Sequence, residues 1–176
     1  MFHEVKIAGL GFDPGLQSPV LLIKKKDGEN ILPIVIGFFE ATAIVMALND
    51  NKAVRPMTHD LFSEFIDKTG LKVGRVFIDD VRKNVYYSRV FYDGREDDKL
   101  SFSMDARPSD AVALALRFNA PIFVDEEVFL KYREETSVNL KYEDYAEEIS
   151  EESSLSRRWA KYLENIPAEE FGKYKV

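Results

Sequence analysis

The chain has 176 residues, 45% of them hydrophobic and 31% charged, with a formal net charge of -7 and no cysteine. That length and apolar fraction suit one domain with a packed core, or one domain with a short appendage, and exclude wholesale disorder. The missing cysteines exclude a disulfide scaffold, a thiolate nucleophile, a zinc ribbon and an iron–sulfur site. No run reaches the roughly 18 to 20 apolar residues of a membrane span, and Met1-Phe2-His3-Glu4 has neither the basic nor the apolar part of a secretory signal. The expectation is therefore a cytoplasmic protein with no membrane partner.

In chain order, residues 2–12 alternate loosely around Val5, Ile7, Leu10 and Phe12 and read as a strand. Pro19–Lys26 and Ile31–Ile36 flank Asp27-Gly28, a hairpin signal. Phe38–Asn49 carries Phe38, Ala41, Ile44, Val45 and Leu48 at helical spacing. Thr58 is the expected N-cap of a second helix, with Leu61, Phe62, Phe65 and Ile66 as its buried face and Gly70 as its stop. Val73–Val81, Val85–Tyr92 and Leu100–Met104, with turns at Lys83-Asn84 and Asp93-Gly94, read as three antiparallel strands. Pro108-Ser109-Asp110 opens a helix over Ala111–Phe118, with Val112, Ala115 and Leu116 inward. Pro121–Val124 reads as a short strand and Glu126–Tyr132 as a short helix. Acid-rich stretches around Leu140, Tyr145 and Ile149, then Trp159, Tyr162, Leu163 and Ile166, read as amphipathic helices. The fold class expected is α+β: a mostly antiparallel sheet with packed helices and a helical carboxy-terminal extension, divided as a domain over 1–130 and an extension over 131–176.

The charge balance bears on function. Up to residue 130 there are 16 Lys and Arg against 20 Asp and Glu, and beyond it 8 against 11. No basic half is hidden, so the global signature of a non-specific nucleic-acid binder is lacking, and a local basic patch is what remains open.

Three constellations could carry chemistry. In Arg55-Pro56-Met57-Thr58-His59-Asp60, His59 sits in the first turn of a helix, where the macrodipole disfavours its protonated form; a neutral imidazole could serve as general base or metal ligand. The plainer alternative is a Thr58 cap, Asp60 complementing the dipole and His59 as polar surface. In Asp105-Ala106-Arg107-Pro108-Ser109-Asp110, backbone N–H groups at a helix start with Arg107 alongside could bind phosphate, and the two aspartates could hold a divalent cation. Alternatively Ser109 is the N-cap and Arg107 pairs with a carboxylate. Glu40 is an isolated acid at the start of an apolar helix, either pointing into a cleft or matching the dipole. A weaker pattern is the acid–acid–lysine set of Asp97, Asp98 and Lys99 following Asp80. Phe77, Tyr86, Tyr87, Phe91 and Tyr92 read first as strand packing, and any exposed ones could stack bases.

Together, Leu32-Pro33-Ile34-Val35-Ile36-Gly37 with Glu40-Ala41 and Ala43-Ile44, then Arg55-Pro56-Met57-Thr58-His59-Asp60-Leu61, then Asp105-Ala106-Arg107-Pro108-Ser109-Asp110-Ala111 through Leu114-Ala115-Leu116-Arg117, resemble the bifunctional nuclease family over about residues 1–130. The stretch Trp159–Phe171 resembles the short tail of bacterial members. The UvrB/UvrC-type helical motif carried by many relatives is not found after the core. The resemblance implies a nuclease that hydrolyses phosphodiester bonds of RNA, DNA or both. Mapped onto its motifs, His59, Asp60 and Glu40 are the expected catalytic residues, and Arg55, Arg107 and Ser109 the expected phosphate binders. Asp105 and Asp110 are the expected ligands of Mg²⁺ or Mn²⁺. The rival expectation is a non-catalytic module that binds a small anion or a protein through the same cluster. A homodimer or higher homo-oligomer, formed through exposed strand edges, is compatible with either.

Overall fold

The apolar alternation of the first third folds as expected into an antiparallel meander. The computed structural model describes residues 1–13, 16, 18–28, 31–94 and 100–136, with side chains of 133–136 excepted. In it β1 (Phe2–Asp13) pairs with β2 (Ser18–Lys25), and β2 with β3 (Ile31–Val35). Helices α1 (Phe38–Leu48) and α2 (Thr58–Lys68) follow, and then a second meander of β4 (Leu71–Arg82), β5 (Val85–Gly94) and β6 (Ser101–Ala106). The β4–β5 turn uses Lys83 and Asn84 at φ of 50° and 60°, the left-handed pair that a tight type I′ hairpin needs. Helix α3 (Pro108–Phe118), strand β7 (Ile122–Asp125) and helix α4 (Glu126–Thr136) complete the described chain.

β7 joins the two meanders. The sheet order is β3-β2-β1-β7-β4-β5-β6, with β7 antiparallel to β1 and parallel to β4. The class is α+β with a mostly antiparallel sheet, as expected, its one parallel pairing supplied by this late strand. The helices pack on one face, where Leu21, Ile23, Leu32, Ile44, Val76, Ile78, Val90, Val112 and Val124 lie within one core. On the other face Phe77 meets Phe2, Phe91 and Phe123, at centroid separations of 4.6, 5.2 and 5.1 Å. Phe77 and Phe91 thus line the face away from the helices, while Tyr92 is buried in the core and Tyr86 packs against it. None of the described helices is long and apolar enough to cross a membrane. The expected extension over 131–176 lies, beyond the end of α4, outside the described residues, as do Asp97, Asp98 and Lys99.

The helix starts differ from the sequence expectation. Met57, not Thr58, is the N-cap of α2, and Arg107, not Ser109, that of α3. The buried face of α2 is corrected as well. Ile66 is buried, but Leu61, Phe65 and Phe62 are 63%, 61% and 37% exposed. The physical reason is electrostatic. His59 and Asp60 turn toward α3 to meet Asp110 and Arg117. With His59, Ser63 and Ile66 on one face at i, i+4 and i+7, the Leu61–Phe65 stripe is rotated outward.

Candidate functional site

The centre forms where the amino-terminal turns of α1, α2 and α3 meet. At α1, Gly37 is the N-cap, and a Cβ there would lie 2.2 Å from Oε2 of Glu40. Its missing side chain therefore leaves room for the Glu40 carboxylate to fold back over the helix start. At α2, the Asp60 carboxylate accepts the Met57 N–H at 3.0 Å, satisfying one orphan donor of the first turn. This also orients His59, whose carbonyl accepts a bond from Ser63 Oγ at 2.7 Å. At α3, Pro108 occupies the first turn without needing an N–H partner, and Arg107 and Asp110 flank it.

These residues form one chain of contacts. His59 Nε2 lies 3.0 Å from Asp110 Oδ1. Arg107 donates to the same carboxylate through Nε at 2.7 Å and Nη2 at 3.2 Å, and its Nη1 reaches Glu40 Oε1 at 2.8 Å. The His59 and Glu40 side chains are largely buried, whereas the Arg107 side chain is 66% exposed. Hydrogen bonding from His59, reinforced by Arg107 and opposed by desolvation, holds the Asp110 carboxyl at about 2. Arg107 is pushed up, chiefly by its bonds to Asp110. An ionised Asp110 accepts from His59 Nε2–H, and in a neutral ring that arrangement puts the lone pair on Nδ1.

A second pair backs the first. Arg117, 12% exposed, donates to Asp60 Oδ1 at 2.7 Å and to the carbonyls of Ala43 and Ala113 at 3.2 and 2.9 Å. Partial burial raises the Asp60 pKa, but the Met57 N–H and Arg117 outweigh it, and the carboxyl falls below its usual value. Arg117 lies in the quoted motif but was not among the expected site residues; the signal for it is a lone cation two turns after Asp110 in an apolar helix. The Asp60–Arg117 pair borders a cavity of about 560 Å³ that also takes in Asp50, Asn51, Lys52 and Asn119.

Of the expected residues, the structure brings His59, Asp60, Glu40, Arg107 and Asp110 into this region. The other three differ from these in exposure and partners. Arg55 is exposed in the segment between α1 and α2 and has no carboxylate partner among the described residues. Ser109 is only 5% exposed, which leaves it little surface for a phosphate. Asp105 is exposed in β6 and pairs across the ladder with Arg89. By strand alternation it points to the sheet face away from the helices, while its neighbours Met104 and Ala106 face the helical side. The donor set expected for Mg²⁺ or Mn²⁺ is thus split across the sheet. Both Asp110 oxygens and Glu40 Oε1 already engage cationic or imidazole groups. Among the described residues no group of three or more His, Asp or Glu is placed to hold a metal ion.

The depressed Asp110 carboxyl has a measurable consequence for stability. Its folded value of about 2 lies below the unfolded value of 3.8. Its stabilisation is thus fully present above about pH 4 and is lost as pH falls through 2. Acid titration of the unfolding free energy is expected to show wild type losing up to about 2 kcal/mol more than Asp110→Asn over that interval.

The fold and site define an α+β domain whose polar centre joins motifs separated by some 20 to 50 residues in sequence. Residues 20–137 match the bifunctional nuclease domain, and the chain belongs to that family. An uncharacterised protein of Mycobacterium tuberculosis (strain ATCC 25618 / H37Rv) is 36% identical over 125 residues, which is 71% of this chain and 73% of that protein. Bifunctional nuclease 2 of Oryza sativa subsp. japonica is 31% identical over 108 residues, 61% of this chain and 33% of its own length. Bifunctional nuclease 1 of Arabidopsis thaliana is 28% identical over 109 residues, 61% of this chain and 34% of its length. The chain therefore spans about a third of these plant relatives.

Proposed function

We propose that the protein hydrolyses phosphodiester bonds of RNA, DNA or both at the centre formed by His59, Asp110, Arg107 and Glu40. The observation that carries this reading is the contact chain linking the three motifs, with an imidazole oriented by a carboxylate beside an exposed guanidinium. In-line attack at phosphorus needs a proton acceptor for the attacking oxygen and a cation for charge developing on the phosphorane. His59 Nδ1 is the acceptor, Asp110 holds the ring in that tautomer, and Arg107 takes the phosphate oxygens in place of one of its carboxylate partners. Glu40 keeps Arg107 aimed at the centre when no substrate is bound. Asp60 acts through the start of α2 and not on the substrate. Because the expected metal donors do not converge, no step is routed through a metal.

Arg107 already pairs with two carboxylates, and this favours a second reading: a regulatory module whose anion or protein ligand exchanges with one of those partners. Turnover separates the two. Labelled single-stranded RNA and DNA are incubated with the purified chain and with a mock preparation, each with Mg²⁺, Mn²⁺ or chelator. Cleavage above the mock supports the nuclease, and none under any condition leaves the module. Asp105→Asn is expected to keep cleavage within about twofold of wild type, since that residue faces away from the centre. A hundredfold loss in a folded Asp105→Asn protein would place the chemistry on the other sheet face.

A further inference from the structure

Helices α1 and α3 both end in left-handed residues beside the same cavity. Asp50 follows α1 at φ 49°, and Asn119 caps α3 at φ 51°. At about 560 Å³ the cavity lies within the range of small-molecule sites. Its polar side chains fall into two sets. Asp60 and Arg117 are bonded to one another and to the backbone. The side chains of Asp50, Asn51, Lys52 and Asn119 make no hydrogen bond or ion pair among the described residues, yet all line this one cavity. The backbone holds this second set in place. The Asp50 N–H bonds the Ala47 carbonyl at 3.3 Å, that of Asn51 the Met46 carbonyl at 2.9 Å, and that of Asn119 the Leu116 carbonyl at 3.4 Å. Leu48 and Leu116 add an apolar wall. Lys52 and Arg117 balance the two aspartates, so the cavity does not repel a phosphodiester.

From this set of side chains we propose that the cavity binds a ribonucleotide. Each group matches one part of that ligand. The amides of Asn51 and Asn119 each offer donors and an acceptor, which is what the edge of a nucleobase requires. Leu48 and Leu116 pack against the base. The Asp50 carboxylate accepts from the ribose 2′-hydroxyl, and a deoxyribose leaves it without that bond. Lys52 meets a phosphate oxygen. A free inorganic anion uses Lys52 alone and leaves the two amides and the carboxylate unmatched. The place of this nucleotide in a substrate rests on the nuclease reading above. Asp110 and Arg117 are two turns apart on α3, about 10 Å along its axis, and Arg117 bonds Asp60, the residue after His59. The cavity therefore lies beside the centre, where the nucleotide flanking the cleaved bond belongs. Lys52 and Arg55, on the segment joining α1 to α2, give the strand two cations that no described carboxylate holds. A consequence is that RNA is preferred to DNA.

Amide NMR of the full chain, titrated with AMP, GMP, CMP and UMP, with their deoxy counterparts and with inorganic phosphate, reads the site without cleavage. At least one ribonucleotide is expected to shift the amides of Asp50, Asn51, Lys52 and Asn119, and its deoxy counterpart to bind about fivefold more weakly or worse. Asp50→Gly and Asn119→Gly both suit a left-handed φ, and circular dichroism with the thermal midpoint establishes that each is folded. Asp50→Gly is expected to bring the two sugars to equal affinity, and Asn119→Gly to weaken both about tenfold. No shift at these residues with any nucleotide up to about 10 mM overturns the proposal. So do the same shifts with phosphate alone, and so does equal affinity for the two sugars in wild type. Binding in the cavity with no cleavage of RNA or DNA would keep the ribonucleotide site and remove the nuclease reading. Cleavage with a silent cavity would keep that reading and remove the site. Where both hold, Asp50→Gly lowers kcat/KM for RNA by about fivefold and leaves DNA unchanged.

Discussion

His59→Ala is expected to lower the rate of RNA and DNA cleavage by about 10² to 10⁴-fold while leaving the thermal midpoint within a few degrees of wild type. The range is what a positioned general base contributes. The small structural cost follows from the site: the ring is on the first turn of α2, and the Asp60 cap and the Asp60–Arg117 pair hold that turn without it. Asp110→Asn is expected to fall by about 10 to 10³-fold, since the amide can still meet Arg107 through its oxygen but no longer fixes the imidazole tautomer by charge. The double variant should be little slower than His59→Ala alone, because an orienting group has nothing to act on once the base is gone. Additive losses would show that Asp110 works independently of His59. Unchanged cleavage in His59→Ala would remove the imidazole from the mechanism.

Arg117→Met is expected to destabilise the fold by about 3 kcal/mol, the order of breaking a buried pair from one side. Methionine keeps most of the buried volume, so the loss reports charge and hydrogen bonding. Asp60 is left without its cation, and the carbonyls of Ala43 and Ala113 lose a donor in the interior. Urea unfolding should show a lower midpoint with an unchanged slope. If the loss stays below about 0.5 kcal/mol, the range of an exposed ion pair such as Lys68–Glu64, Arg117 is not a structural anchor. A reduced activity that recovers on cooling would identify the pair as a support for α2, in keeping with its place behind the His59 centre.

Most elements were legible in the chain because their periodicities differ. The alternation of Val73–Val81 and Val85–Tyr92 and the left-handed Lys83-Asn84 turn specify a hairpin locally. The class and all seven strands follow from such local signals, which need no knowledge of neighbours. The placement of β7 did not, since four residues beginning Ile122-Phe123-Val124 carry no record of which strands they enter between. The face of α2 was misread for the opposite reason. Its apolar stripe is a real local signal, but a hydrogen bond and an ion pair made with residues some 50 positions away set the helix rotation.

The site divides in the same way. Helix starts marked out His59, Asp60, Glu40, Arg107 and Asp110 as candidates, and the family resemblance, not residue type alone, set them above the alternative of caps and dipole partners. Sequence proximity suggested pairing Asp105 with Asp110, yet a strand sends adjacent residues to opposite faces, and that alternation separates them. By itself, then, the sequence determined the family, through its motifs, and the α+β class and short-range elements, which rest on contacts between near neighbours. Which motif residues share one centre, which way α2 turns and where β7 enters the sheet were decided by tertiary structure alone, because each depends on charges and strands that meet only after distant segments have packed.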